Sequence, residues 1–254
     1  MILIKTPDQI AKMRVAGQVT AQILRILESK VAPGITTAYL NQIAEEECRK
    51  RGAHPVFKNY PNYKGGRPFP GAICASVNDE VVHGIPSDRK LKEGEIISID
   101  FGVIVDGFAG DSAITVAVGE VEREVEKLLR TTEEALMRGI KQAKAGNRLG
   151  MVSNTIQNHA EKNGFSVVRE FVGHGIGAAM HEDPPIPNYG RPDRGPVLKN
   201  GMALAIEPMV NMGSQEVFVS SDEWTVRTRD GAYSAHFEHT IVVCDNEPEI
   251  LTLR

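Results

Sequence analysis

Cysteine is scarce in this sequence, with only Cys48, Cys74 and Cys244 among 254 residues. Their odd number and wide spacing argue against a disulfide framework or a zinc-finger module, and point to a reducing cytoplasm. Long apolar runs are missing too, and none approaches the roughly 20 residues that cross a bilayer. The opening MILIKTPDQIAKMR has no basic stretch ahead of an apolar one, so it does not read as a signal peptide. Nor is there a basic excess. A net charge of −4 without Lys or Arg runs gives no reason to expect DNA as a partner. What is present is an ordinary globular balance, 41% hydrophobic and 24% charged, in a chain long enough for a sizeable core.

Helical periodicity opens the chain. Thr6, Pro7 and Gln9 form a capping-box start, followed by Ile10, Met13, Ala16, Ile23, Leu24 and Leu27 at helical spacing. Gly17 and Thr20 narrow the same face, so a neighbouring element could approach closely there. Pro33-Gly34 breaks this helix, and a second is expected from about Thr37 to Arg51, stopped by Gly52. A shift of 112 residues places Gly34 on Gly146, Leu40 on Val152 and Gly52 on Gly164. Any two amphipathic helix pairs can be aligned in this way, but glycines landing at both element boundaries favour a duplication. The expected organisation is a single catalytic domain, 1–254, with pseudo-repeat halves of about 1–118 and 119–254. Strand character follows each helix pair: Ala72 to Val82, Ile96 to Ile104 and Gly107 to Val118, then Ser166 to Val172, Met202 to Val210, Trp224 to Arg229 and His236 to Val243. Strands following helices in blocks predict an α+β fold with mostly antiparallel sheet.

Acids stand where strands should be apolar. In ISIDFGVIVDGFAGDSAITV, Asp106-Gly107 is a two-residue hairpin signal. That turn pairs Val105 with Phe108 and sets Asp111 opposite Gly102, with Asp100 on the same face. The two aspartates then converge diagonally across one ladder. One of them could instead face solvent or cap a turn. If both are buried, their repulsion calls for a cation between them. MALAIEPMV places Glu207 inside an apolar strand before Pro208, and AHFEHTIVV does the same for Glu238. His174 stands apart from other histidines because Gly173 and Gly175 leave it open on both sides.

These residues and their contexts, SIDFGVIVDGFAGD, VGHGIG-x-x-x-HE-x-P, AIEPMV and FEHTIVV, resemble the metal ligands of the methionine aminopeptidase family, closest to the bacterial type I form. The resemblance covers nearly the whole chain, without the type II insertion or an N-terminal zinc-binding extension. It implies a pita-bread fold of pseudo-twofold halves, with antiparallel sheet covered by helices. It also implies a hydrolase that removes the initiator methionine from nascent proteins and peptides, preferentially before a small second residue. Two divalent ions are implied, Co, Mn, Fe or Zn, with Asp100 and Asp111 on one, Asp111, His174, Glu207 and Glu238 on the other, and Asp111 and Glu238 bridging. The ions would generate hydroxide from a shared water near neutral pH. By the same resemblance Glu207 is the general base, His181 donates to the oxygen that gains charge, and His83 contacts the second residue's amide. The substrate's amine would meet a metal and Asp100.

Phe69, Cys74, Met180 and Trp224 fall at or near the family's methionine pocket. Met180 and Phe69 stand where phenylalanine and tyrosine are usual, and the loop NYPNYKGGRPFPG is enlarged. Capping a turn is the plain alternative for His83, a surface pair for His181-Glu182, and core packing for Cys74. A cytoplasmic monomer with transient ribosome association and no membrane partner completes the expectation. Proline-directed peptidases of the same fold share the five ligands but usually carry a further N-terminal domain.

Overall fold

The computed structural model describes residues 1–62 and 65–253. Tyr63 and Lys64, within the segment NYPNYKGGRPFPG, lie outside the described residues, as does Arg254. Helix α1 (Pro7–Glu28) starts on the expected capping box: the Thr6 hydroxyl accepts from the Gln9 N–H, and the Gln9 side chain accepts from the Thr6 N–H. Helix α2 (Thr37–Lys50) is capped by Thr36. Then come β1 (His54–Pro55), β2 (Cys74–Val77), β3 (Glu80–Val82), β4 (Ile96–Val105) and β5 (Phe108–Ala117). A second helix pair follows, α3 (Arg123–Ile140) and α4 (Leu149–Lys162). After it run β6 (Ser166–Val167), β7 (Gly173–Gly175), β8 (Glu182–Ile186), β9 (Ala203–Ile206) and β10 (Met209–Asn211). The chain closes with β11 (Val217–Val219), β12 (Val226–Thr228), β13 (Ser234–His236), β14 (His239–Val242) and β15 (Glu249–Ile250). All pairings between these strands are antiparallel. The fold is α+β, as the blocks of helices and strands imply.

The two helix pairs have matching ends. Gly34 and Gly146 follow the first helix of each pair at φ 88° and 89°, a backbone conformation that glycine adopts without strain. Each pair covers its own core. Leu24, Leu40, Ile97 and Phe101 are buried together under α1 and α2, while Leu128, Leu136, Val152, Leu204 and Ile241 are buried under α3 and α4. The narrow face of α1 serves a close contact. A Cβ on Gly110 of β5 would lie 2.6 Å from the Gly17 nitrogen, and the Thr20 hydroxyl donates to the Gly110 carbonyl at 3.0 Å. α1 therefore rests directly on the backbone of β5, one residue from Asp111. No described helix is long and apolar enough to cross a membrane.

Several expected strands are shorter than the sequence suggests. The segment from Ala72 to Val82 turns at Asn78, which has φ 59°, and so divides into β2 and β3. The segments from Met202 and from His236 each break once. Glu207 and Pro208 separate β9 from β10, and Phe237 and Glu238 separate β13 from β14. Glu207 and Glu238 are thus at strand interruptions, not inside strands. A proline has no N–H to give the ladder, so a break beside Pro208 has a direct cause.

Candidate functional site

The β4–β5 hairpin turns at Asp106 and Gly107, with φ 49° and 78°, the left-handed pair that a two-residue hairpin requires. Val105 pairs with Phe108, Gly102 with Asp111, and Asp100 with Ala113. Asp100 and Asp111 therefore share one face on a diagonal, the register expected from the turn. Gly102 leaves room for the second acid, since a Cβ there would lie 3.0 Å from Asp111 Oδ1.

The second pair of acids comes from the C-terminal strands. β9 pairs with β14 and β10 with β13 in a single register: Ile206 meets His239, and Met209 meets His236. The interruption lies between, so Glu207 faces Glu238. The β13–β14 segment is then laced to β5. The Glu238 N–H donates to the Ala113 carbonyl at 2.9 Å, and the Ser112 hydroxyl donates to the Glu238 carbonyl at 2.6 Å. The Thr240 hydroxyl accepts from the Asp111 N–H at 3.0 Å and donates to the Asp111 carbonyl at 2.8 Å. These bonds join strands that are about half the chain apart, and they bring Asp111 to Glu238.

His174 is buried on β7, opposite Ala205 of β9. Its flanking glycines do not leave it open. A Cβ on Gly173 would lie 2.4 Å from the Ala205 carbonyl oxygen, and one on Gly175 2.1 Å from that of Asp183. The glycines instead allow neighbouring backbone to close in on both sides. His174 Nδ1 is 2.9 Å from the Gly175 carbonyl, which can only accept, so Nδ1 carries the proton and Nε2 the lone pair. That lone pair faces Glu207 Oε1 at 3.6 Å and Asp111 Oδ2 at 3.8 Å.

An imidazole lone pair among carboxylates is unfavourable unless a proton or a cation lies between them. Asp100 Oδ1, Asp111 Oδ1 and Glu238 Oε1 are buried without hydrogen-bond partners. Asp111, His174 and Glu238 offer donor atoms all within 4.8 Å of one another. The cavity they floor has a volume of about 640 Å³, and no Lys or Arg is among the described residues that line it. Burial holds the Asp100, Glu207 and Glu238 carboxyls well above their ordinary range, and the neighbouring Asp111 carboxylate pushes each of them further. Burial raises Asp111 itself to about 7 and lowers His174 to about 3. The donor set fits a divalent transition ion, because oxygen and nitrogen donors without a local positive charge suit Mn, Fe, Co or Zn.

The walls are aromatic. Phe69 meets Trp224 edge-on at 5.2 Å, and His83 meets Phe171 at 5.6 Å and Trp224 at 6.2 Å. His83 sits at φ 60°, and burial, then the neighbouring His181, lowers its pKa to about 4, so it is neutral near pH 7. His181 lies against His174 with ring centroids 4.3 Å apart, and burial lowers its pKa as well. Cys74, opposite Asp100 in the β2–β4 ladder, lines the floor, with its thiol pushed up by burial and then by Asp100.

Five acids and histidines expected on metals thus share one cavity with His83, His181, Phe69, Cys74 and Trp224. Met180 does not line it. It is buried with Ala109 and Ile176, and its Cε would lie 3.1 Å from a Cβ on Gly102, so it packs against the acid-bearing face of the hairpin but outside the cavity lining. Sequence reasoning missed Phe171, Val219 and Tyr60, which the cavity gathers from two loops and the end of β11. It also missed His236, fully buried, whose Nε2 lies 3.4 Å from Glu207 Oε2. The run HFEH around Glu238 held the signal for His236. Nothing local marked the others.

The chain is similar to known proteins over its whole length. The methionine aminopeptidase of Clostridium perfringens is 53% identical over 253 residues, covering 100% of this chain and 99% of that one. The crystal structure of the methionine aminopeptidase from Thermotoga maritima matches all of both chains at 47% identity and a TM-score of 0.96. The Xaa-Pro dipeptidase of Bacillus anthracis shares the pita-bread fold more distantly, at 23% identity and a TM-score of 0.79, with 62% of its length covered. The model of metallopeptidase family M24 matches residues 11–245, and by that match and these likenesses the chain belongs to metallopeptidase family M24.

Proposed function

We propose that this chain is a methionine aminopeptidase, a metal-dependent hydrolase that removes the N-terminal methionine from peptides and nascent chains. The observation that carries the reading is the floor of unpartnered acids, fed from both halves, beneath an aromatic wall. Asp100 and Asp111 would hold one divalent ion, and Asp111, His174, Glu207 and Glu238 a second, with Co, Mn, Fe and Zn all compatible. When bound, such ions polarise the scissile carbonyl and make water nucleophilic near neutral pH.

The chain's own groups complete the reaction. Glu207 takes the proton of the attacking water and delivers it toward the leaving amine, a role that suits a buried carboxylate beside the reacting atoms. His181 donates to the carbonyl oxygen as it gains charge. His83, neutral, guides the amide of the second residue. Asp100 receives the substrate's free amine, which restricts cleavage to the chain end. Phe69, Cys74 and Trp224 would enclose the thioether of methionine, with Met180 packed against the acid-bearing face of the hairpin.

The same reading makes the protein a cytoplasmic monomer of one catalytic domain, built from duplicated halves of about 1–118 and 119–254. It prefers small second residues and associates transiently with ribosomes. The deciding test is hydrolysis of Met-Ala-Ser after chelation and stepwise addition of single metals, beside an Xaa-Pro peptide. Metal-restored release of methionine supports the proposal. Turnover of the Xaa-Pro peptide alone would assign the chain to the proline-directed branch of the fold.

A further inference from the structure

His174 and His181 lie ring against ring, yet their Nδ1 atoms have different partners. For His174 the partner is a carbonyl, which fixes the proton on Nδ1. For His181 it is the Tyr60 hydroxyl, 2.6 Å away. A phenol is a better donor than acceptor, and a neutral imidazole nitrogen accepts readily. We propose that Tyr60 is a positioning residue: its hydroxyl donates to His181 Nδ1 and holds that ring in the tautomer that carries its proton on Nε2. The two adjacent histidines then have opposite tautomers for opposite tasks. His174 presents a lone pair to a cation, and His181 presents an N–H to a carbonyl oxygen that is gaining charge.

The Tyr60 hydroxyl is placed by backbone, not by chance rotation of a surface side chain. The Tyr60 N–H donates to the Phe57 carbonyl at 2.8 Å and the Asn59 N–H to the Phe69 carbonyl at 2.8 Å. The Phe69 N–H returns a bond to the Tyr60 carbonyl at 2.9 Å. Phe69 is itself buried against Trp224. The Tyr60 ring meets His181 edge-on at 5.5 Å, which fixes the imidazole plane as well as its proton. The loop that supplies the pocket wall therefore also sets the donor. A loop that closed wrongly would leave His181 free to carry its proton on Nδ1, with its Nε2 lone pair turned against the developing negative charge.

The kinetic consequence rests on the aminopeptidase reading, but the tautomer does not. Tyr60→Phe keeps the ring and removes only the hydroxyl. Long-range proton–nitrogen NMR of the metal-free protein at mildly alkaline pH reads the tautomer of each histidine, with the His181 signals assigned by their loss in His181→Ala. The parent is expected to show His181 with its proton on Nε2, and Tyr60→Phe a mixture of both forms. With metal restored, kcat on Met-Ala-Ser should fall roughly tenfold in Tyr60→Phe, about one neutral hydrogen bond's worth. KM should stay within about twofold, since the bond matters chiefly when charge develops. A proton on His181 Nδ1 in the parent, or identical His181 spectra and kcat in the two proteins, would overturn the assignment. A parent with the expected spectrum but no activity on the peptide would uphold the tautomer device while rejecting the aminopeptidase reading.

Discussion

The acidic floor of the cleft is carried by paired strands, whereas its aromatic rim is carried by loops that meet only in the folded chain. On the floor, hairpin register sets Asp100 diagonal to Asp111, and a broken ladder sets Glu207 across from Glu238. On the rim, the Trp224 indole N–H donates to the Arg67 carbonyl, from 157 residues away, at 2.8 Å. The difference is one of tolerance. A ligand set needs donors fixed to fractions of an ångström, which strands provide, while a pocket for a flexible thioether needs area and shape, which loops can vary.

If the floor is one interdependent unit, removing a single shared acid should disable it. Asp111→Asn should lower kcat/KM for Met-Ala-Ser by roughly 10³-fold or more, with loss of bound metal read by mass spectrometry. Full metal content with near-parent turnover in that variant would show that the acids act independently. His181 belongs to the chemistry yet sits beside the floor. His181→Ala should cost roughly 10²–10³-fold in kcat with metal content and folding unchanged. Unchanged turnover would remove it from the mechanism.

The floor should also show itself in the metal-free protein's stability. Asp111 titrates near 7 when folded against an ordinary 3.8, so the folded chain keeps protons that the unfolded chain has already lost. Stability is then highest below the ordinary carboxylate value and falls as pH rises toward 7. Between about pH 5 and 7 the loss should be on the order of 2 kcal/mol for such a group, with Asp111→Asn showing a shallower slope in thermal melts. Divalent metal at neutral pH should reverse the loss. A parent whose slope matches that of the variant would mean the acids are not forced together. The smallest effect belongs to the rim. Trp224→Ala should raise KM for Met-Ala-Ser about tenfold, the scale of one lost apolar wall, and leave metal binding intact.

The same division decided what could be read before folding. Period-two alternation with acids at apolar positions exposed Asp100 and Asp111, and Asp106-Gly107 fixed their register. Gly17 and Thr20 marked a face of α1 open to close approach, which Thr20 meets through the Gly110 carbonyl of β5 and Gly17 through the Leu251 carbonyl. The strand breaks at Glu207 and Glu238 were not legible as breaks, because apolar runs continue across both sites. His174 was found for a partly mistaken reason, since its glycines admit backbone, not open space. Tyr60 and Phe171 went unseen because nothing beside them in sequence says which loop they will meet. Met180 aligned with a pocket position, yet it is buried against the hairpin outside the cavity lining, a matter of side-chain direction that no spacing encodes.

The account's central claim is that acids from both halves converge to enclose cations. Anomalous diffraction from crystals grown with manganese tests it most directly. Two strong peaks bounded by Asp100, Asp111, His174, Glu207 and Glu238 are predicted. Side chains turned away from one another, with no peak among them, would contradict it.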